Sequence, residues 1–369
     1  MRTTFIITAF VLLAASAVRA QQFVSTQPAP RVALIEEFTG VNCSACPDMG
    51  HDVIDQMKET FTENQMLVIM YSPTTSNYTE PFFGATDFRR AFLDDFYVHA
   101  YCAPATLTRA MPSAFVSRRI WASGDRWQVG SDWPDYVSQV NASGNSPMNI
   151  GVRSVYDELA QTITVDVEVY YHTDVTEGNS LYVFLGEHDL TSPYQSGSGG
   201  GTYLYKSNFF RETVTEGTWG DPITGPTTAG SLYTRQLTFD LADAIDPMNI
   251  ANVDVLAFII EDGSTEVYTA VQAPANGGTA TTGGESTSIE SARASELKLF
   301  PNPADNMVYI TGLTADAEIH VTDAMGRPLD KVTHTGGTAQ YETTHLLRGI
   351  YVVNIMSAHG ARALRLVKN

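Results

Sequence analysis

Residues 36–47 read EEFTGVNCSACP. The stretch follows an apolar run, Val32–Phe38, which has the character of a buried strand. It precedes a segment, Cys46–Phe61, in which Met49, Val53, Ile54, Met57 and Phe61 recur at helical spacing. Cys43 and Cys46 are therefore a C-x-x-C pair at a strand-to-helix junction. At a helix start, free backbone N–H groups and the helix dipole favour a thiolate. In this setting Cys43 is the expected nucleophile at the exposed edge of the first turn. Cys46, one turn in, is the expected resolving thiol. Pro47 is tolerated in a first turn, where its missing N–H costs little. Glu37 closes the strand six residues before Cys43 and is placed to take the proton that leaves Cys46. Met111-Pro112-Ser113-Ala114-Phe115-Val116 reads as a turn entering a strand. A cis proline at 112 would set backbone opposite the cysteines, where an extended substrate segment can pair.

Working outward, residues 29–146 alternate strand and helix signals. Val32–Phe38, Met66–Tyr71 and Ala114–Val116 are strand-like. Cys46–Phe61, Trp133–Val140 and Ala85–Tyr97 are expected helices, the last with Phe88, Ala91, Phe92 and Phe96 on one face. This alternation implies an α/β layer architecture. Residues 148–272 are nearly all strand. Ile163, Val165, Val167 and Val169 alternate with polar neighbours, and further strands are expected over Leu181–Gly186, Leu232–Phe239, Val253–Ile260 and Val267–Val271. The expectation is an antiparallel β-sandwich, with the Gly/Ser tract Ser196–Gly201 as an exposed loop. Residues 273–294 are rich in Gly, Ser and Thr and read as a flexible linker. A third block, 295–369, again has short strands about ten residues apart.

The chain has 369 residues, with 22 Lys+Arg against 41 Asp+Glu, a formal charge of -19. Such a surface repels phosphate backbones, which argues against a nucleic-acid partner. The third block holds seven acidic and seven basic residues, so the negative excess lies upstream of it. Residues 1–20 read as a secretory signal peptide: Arg2, an apolar run Phe5–Leu13, then small residues before Gln21. Export leads to a compartment where disulfides persist. No motif calls for a cofactor. A zinc site built from Cys43, Cys46, Cys102 and His51 or His99 does not match standard ligand spacing.

The EFTGVNCSAC segment resembles the thioredoxin pattern of a carboxylate, an aromatic, four residues and C-x-x-C. The resemblance implies a thioredoxin-like fold, with Glu37 where thioredoxins carry a buried aspartate and Pro112 where they carry the cis proline. Asn42 and Ser44-Ala45 depart from the Trp before the first cysteine and the Gly-Pro between the pair. The EEFTG…CxxCP signature and FFRETVTEGTWGDPI at 209–223 resemble the Omp28-like outer-membrane proteins of Bacteroidetes, which pair a thioredoxin-like domain with a β-rich one.

In the last block, Pro301-Asn302-Pro303, Asp323 with Gly326-Arg327, Gly349-Ile350-Tyr351 and the basic strand ending at Lys368 resemble the type A C-terminal sorting domain of the type IX secretion system. That resemblance implies a small Ig-like sandwich, the type IX machinery as partner, and a secreted or cell-surface destination after passage through the periplasm. Two functional readings follow. One is thiol–disulfide exchange on exported proteins. The other is a non-enzymatic surface binding protein in which the cysteine pair is a structural disulfide.

Overall fold

The computed structural model describes residues 23–82, 84–98, 110–283 and 298–369, without 301, 305, 314–316, 324–326, 335–336 and 358–359. The expected signal peptide, His99, Cys102, Pro301, Gly326 and the 284–294 part of the expected linker lie outside the described residues. The first block gives β1 (Ala33–Phe38), α1 (Asp52–Thr60), β2 (Met66–Tyr71), α2 (Asp94–Val98), β3 (Ser113–Val116), β4 (Trp127–Gln128) and α3 (Trp133–Ala142). The second gives β5 (Met148–Asp157), β6 (Thr162–Tyr171), β7 (Asn179–Glu187), β8 (Leu190–Ser192), β9 (Tyr203–Tyr205), β10 (Asn208–Thr213), β11 (Asp221–Pro222), β12 (Leu232–Asp240), β13 (Val253–Glu261), β14 (Val267–Pro274) and β15 (Thr279–Thr281). The chain is mostly β. Among the described residues, no helix is long and apolar enough to cross a membrane.

One mixed sheet runs through both blocks in the order β14-β13-β7-β10-β2-β1-β3-β4, with β11 added on β7. β1 and β2 are parallel, with Glu37 opposite Met70. β3 lies antiparallel on the other side of β1, with Glu37 opposite Ala114. β10 joins β2 in parallel, Asn208 opposite Ile69. The sandwich of the second block is therefore present, but one of its layers continues the sheet of the first. Its other layer is β12-β6-β5-β15. The two layers close over Ile163, Val165, Val167, Val169, Val183, Val255 and Ala257, as the alternation in β6 requires.

The shared sheet has one aromatic face. Phe38, Tyr71, Phe96 and Phe115 from the first block pack with Tyr182, Phe184, Phe210 and Phe258 from the second. Inside this core Arg118 bonds both oxygens of Glu36, at 2.8 and 2.6 Å, and the Tyr71 hydroxyl donates to the same carboxylate at 2.8 Å. Both members of the pair are fully buried. The guanidinium also lies 4.7 Å from the Tyr182 ring centroid. Removing one member of such a pair leaves an uncompensated charge, a loss of about 3–5 kcal/mol. The opposite face is covered by α1 and α3 beneath β1–β3, through Ile54, Met57, Trp133 and Val137.

Two expectations change. Residues 85–90 are not helical; a single 3-10 turn at Ala91–Leu93 leads into α2. The reason is that the phenylalanines serve different clusters. Phe88 stacks on Phe209 at 4.6 Å between ring centroids, while Phe92 stacks on Phe210 at 5.3 Å, and one helix face cannot do both. Arg90, buried between them, donates its backbone N–H to Ser72 and its Nε to the Arg211 carbonyl. The expected linker also starts later than residue 273. β15 pairs with β5. The Thr282 hydroxyl accepts from the Ile150 N–H at 3.0 Å, and Ala280 and Thr282 are buried.

Taken by itself, the third block is a small two-sheet sandwich. β16 (Lys298–Phe300), β17 (Met307–Leu313) and β20 (Gly337–Glu342) form one sheet. β19 (Pro328–His334), β18 (Ala317–Asp323), β21 (Gly349–Ser357) and β22 (Gly360–Lys368) form the other. Val308, Ile310, Ile319, Val321, Val353 and Ile355 fill the space between them. The Asn302-Pro303 bond is cis.

Candidate functional site

β1 ends at Phe38, and the chain turns through Gly40–Asn42 before the cysteines. Cys43 and Cys46 form a disulfide with Cα atoms 5.4 Å apart. The helical segment starts at Cys46, runs through a wide turn at Pro47–His51 and continues as α1. This is the strand-to-helix junction that the apolar run and the helical spacing define. Cys43 does not sit at an exposed edge, however. It is 1% exposed, and Cys46 is 0% exposed.

Glu37 is fully buried, and neither carboxylate oxygen has a hydrogen-bond partner. Gly50 makes room for it: a Cβ at that position would collide with Glu37 Oε1 and come within 2.8 Å of Pro112 Cβ. The Met111-Pro112 bond is cis. Glu37, Gly50 and Pro112 are thus packed together beneath the helix that the cysteines begin. Burial pushes the Glu37 carboxyl well above the usual carboxylate range; nearby Asp55 adds to the rise and Lys58 opposes it.

His51 is the residue that the sequence presented only as a metal-ligand alternative. Its Nε2 lies 2.8 Å from Thr39 Oγ1 and 3.8 Å from Glu37 Oε1, and its Nδ1 lies 2.8 Å from the Tyr203 hydroxyl. Burial pulls its pKa down to about 3. Both shifts favour the uncharged forms, which weakens any ion pairing across the 3.8 Å approach. No group of three His, Cys, Asp or Glu side chains among the described residues is arranged to hold a metal ion.

The Gly/Ser tract is an exposed loop, as expected, and it has a further role. It forms the tip of the β8–β9 hairpin and lies on the cysteine loop. Gln195, 1% exposed, donates Nε2 to the carbonyls of Gly40 (3.2 Å) and Cys43 (3.0 Å). Its Oε1 accepts from the Tyr205 hydroxyl. The Ser196 N–H donates to the Val41 carbonyl at 2.8 Å. Gly197 has φ +84° and touches Ser44 so closely that a Cβ would collide with the Ser44 carbonyl. Composition marked this tract as surface; only the long-range fold shows where it rests. Gln195 and Tyr203 carry no local sequence signal, and Thr39 lies in the EEFTG stretch without a role assigned from the sequence.

The family model described as outer membrane protein Omp28 matches residues 105–277. The model of the secretion system C-terminal sorting domain matches residues 298–369. No curated protein matches. Among solved structures, HBP35 of Porphyromonas gingivalis is 14% identical and aligns over 93% of this chain and 99% of that one, with a TM-score of 0.51. At that identity the likeness concerns the fold. A domain of the outer membrane lipoprotein Omp28 from P. gingivalis is 19% identical over 34% of this chain and 86% of that one, with a TM-score of 0.25. PorZ, a surface component of the type-IX secretion system of the same organism, is 12% identical over 69% of this chain and 42% of that one, with a TM-score of 0.20. The two family matches assign the protein to the outer membrane or cell surface, with a tail that engages the type IX secretion machinery. Residues 105–277 thus resemble the outer membrane protein Omp28 family, and residues 298–369 match the secretion system C-terminal sorting domain.

Proposed function

We propose that this cell-surface protein exchanges disulfides with thiols of exported proteins through a thioredoxin-like unit in residues 29–146. In this reading Cys43 is attacked, Cys46 leaves, Glu37 moves the proton and Pro112 shapes the substrate groove. The order β2-β1-β3-β4, with a parallel first pair, antiparallel later ones and the cysteines between β1 and α1, supports a thioredoxin-like unit. The observation that carries the reading is Glu37. A buried carboxylate without a partner is costly, and this one lies against the cis Pro112 at the start of the cysteine helix.

The chemistry balances without a cofactor. A substrate thiolate attacks Cys43 Sγ. The Cys43–Cys46 bond breaks, and its electron pair leaves on Cys46 Sγ, which takes the proton of the neutral Glu37 carboxyl. A second substrate thiol then attacks the substrate sulfur of the mixed disulfide and releases Cys43. Its proton passes to the Cys43 thiolate. The substrate is oxidised by two electrons to a disulfide and the protein pair is reduced to two thiols. The reverse steps reduce a substrate disulfide, with Glu37 accepting the proton.

A second reading, a structural disulfide in a surface binding protein, is favoured by the burial of both cysteines. Cys43→Ser separates the two. Exchange predicts that the variant loses turnover of a model dithiol peptide, while in Cys46→Ser the Cys43 thiolate attacks a disulfide-bearing peptide, releases one peptide thiol and stays trapped as the mixed disulfide. The structural reading predicts a lower Tm in both variants and no turnover in the wild type.

A further inference from the structure

Cys43 and Cys46 belong to the aromatic core cluster that includes Phe38, Tyr97 and Met111, and the backbone of residues 40–44 beside them is contacted by a hairpin from the other block. β8 and β9 are anchored at their root: Tyr205 is buried against Phe88 and Phe209, and Tyr203 bonds His51 at 2.8 Å. The tip, residues 195–201, is held differently. It carries four glycines at positive φ, Gly197, Gly199, Gly200 and Gly201. Its hold on the cysteine loop consists of hydrogen bonds from Gln195 and Ser196 to the carbonyls of residues 40, 41 and 43, and of the close seat of Gly197 on Ser44. Segments held by a few polar bonds, with little apolar burial, lie at the low-stability end of a structure and open locally. The bonds at the tip use backbone carbonyls, the groups that an extended polypeptide also engages.

We propose that the tip of the β8–β9 hairpin is a displaceable cover that occupies the place of an extended polypeptide substrate along residues 40–44. Cys43 then meets a thiol only when the tip swings off. This rests on the exchange reading above. It also names the substrate class: a flexible cysteine-bearing segment able to take over the carbonyls of Gly40, Val41 and Cys43, in preference to a rigid folded surface. The substrate supplies both electrons and is left as a disulfide, as in the steps already given.

The test uses the full chain and two variants, Gly197→Val and Gln195→Ala. The first puts a side chain where the Ser44 carbonyl lies, and the second removes the side-chain bonds. Gly197 is exposed, so its variant should fold even if Gln195→Ala does not; a thermal melt checks both. The rate of disulfide reduction by dithiothreitol, read by alkylation and mass under native conditions, should rise at least tenfold in the folded variants. Turnover of a flexible dithiol peptide should rise with it. Rates within twofold of the wild type, with peptide turnover intact, would overturn the cover and leave exchange standing. Faster reduction with no peptide turnover in any form would overturn the exchange reading and the substrate role of the tip together.

Discussion

Glu36 and Glu37 are neighbours in β1, and the strand's alternation sends them to opposite faces. Glu36 enters the aromatic core and is matched by Arg118 and Tyr71. Glu37 enters the site and is matched by nothing but shape. Its folded pKa lies above its ordinary value of 4.5. Between those two values the folded state holds a proton that the unfolded state has lost, so this group makes stability fall as pH rises through the window. His51 acts in the opposite direction. Held near 3 against an ordinary 6.5, it makes stability rise with pH between those values. Glu37→Gln removes only the first effect. The Tm of the variant minus that of the wild type should therefore grow more positive from pH 4 to pH 8. A constant difference would mean that Glu37 is not buried as a neutral acid. The sequence pointed to Glu37 through its distance from Cys43. It did not point to Glu36, whose partner lies 82 residues away.

The helix that starts at Cys46 shows how an element and a site depend on one another. Its early turn must pass close to β1 and to Pro112, and only a glycine at position 50 allows this. Gly50→Ala forces a methyl group against Glu37 and Pro112, an overpacking cost of about 1–3 kcal/mol. Urea unfolding should show that loss, and an unchanged midpoint would mean that the carboxylate is not wedged there. β1, β2, β3 and α3 were legible because each is an apolar run or stripe bounded by turn residues. The 85–97 segment was not. Its phenylalanines have helical spacing, but their partners lie in two separate clusters, and spacing says nothing about partners. The tract Ser196–Gly201 reads as an exposed loop from its composition, and it is one; its contact with residues 41 and 44 has no local signal in the sequence.

At the scale of the molecule, the two upstream blocks share a sheet and a core. The pairing of β2 with β10 joins segments far apart in sequence, and hydrophobic pattern alone cannot choose such a partner. One consequence is testable by truncation. A fragment of residues 23–146 leaves an edge of β2 unpaired and uncovers Tyr71, Phe96 and Phe115, which pack against Tyr182, Phe184 and Phe258 in the full chain. It should aggregate or lack a cooperative thermal transition, whereas residues 23–283 should melt cooperatively. A cooperative fragment would show that the first block is an independent unit. The last 72 residues form their own sandwich and were legible from their ordered motifs.

The central claim is that the Cys43–Cys46 pair works as an exchange couple, and its reduction potential tests that most directly. Alkylation and mass counting across graded redox buffers should give roughly -120 to -270 mV, the range of exchange catalysts. A potential below about -300 mV would mark a structural disulfide and contradict the account.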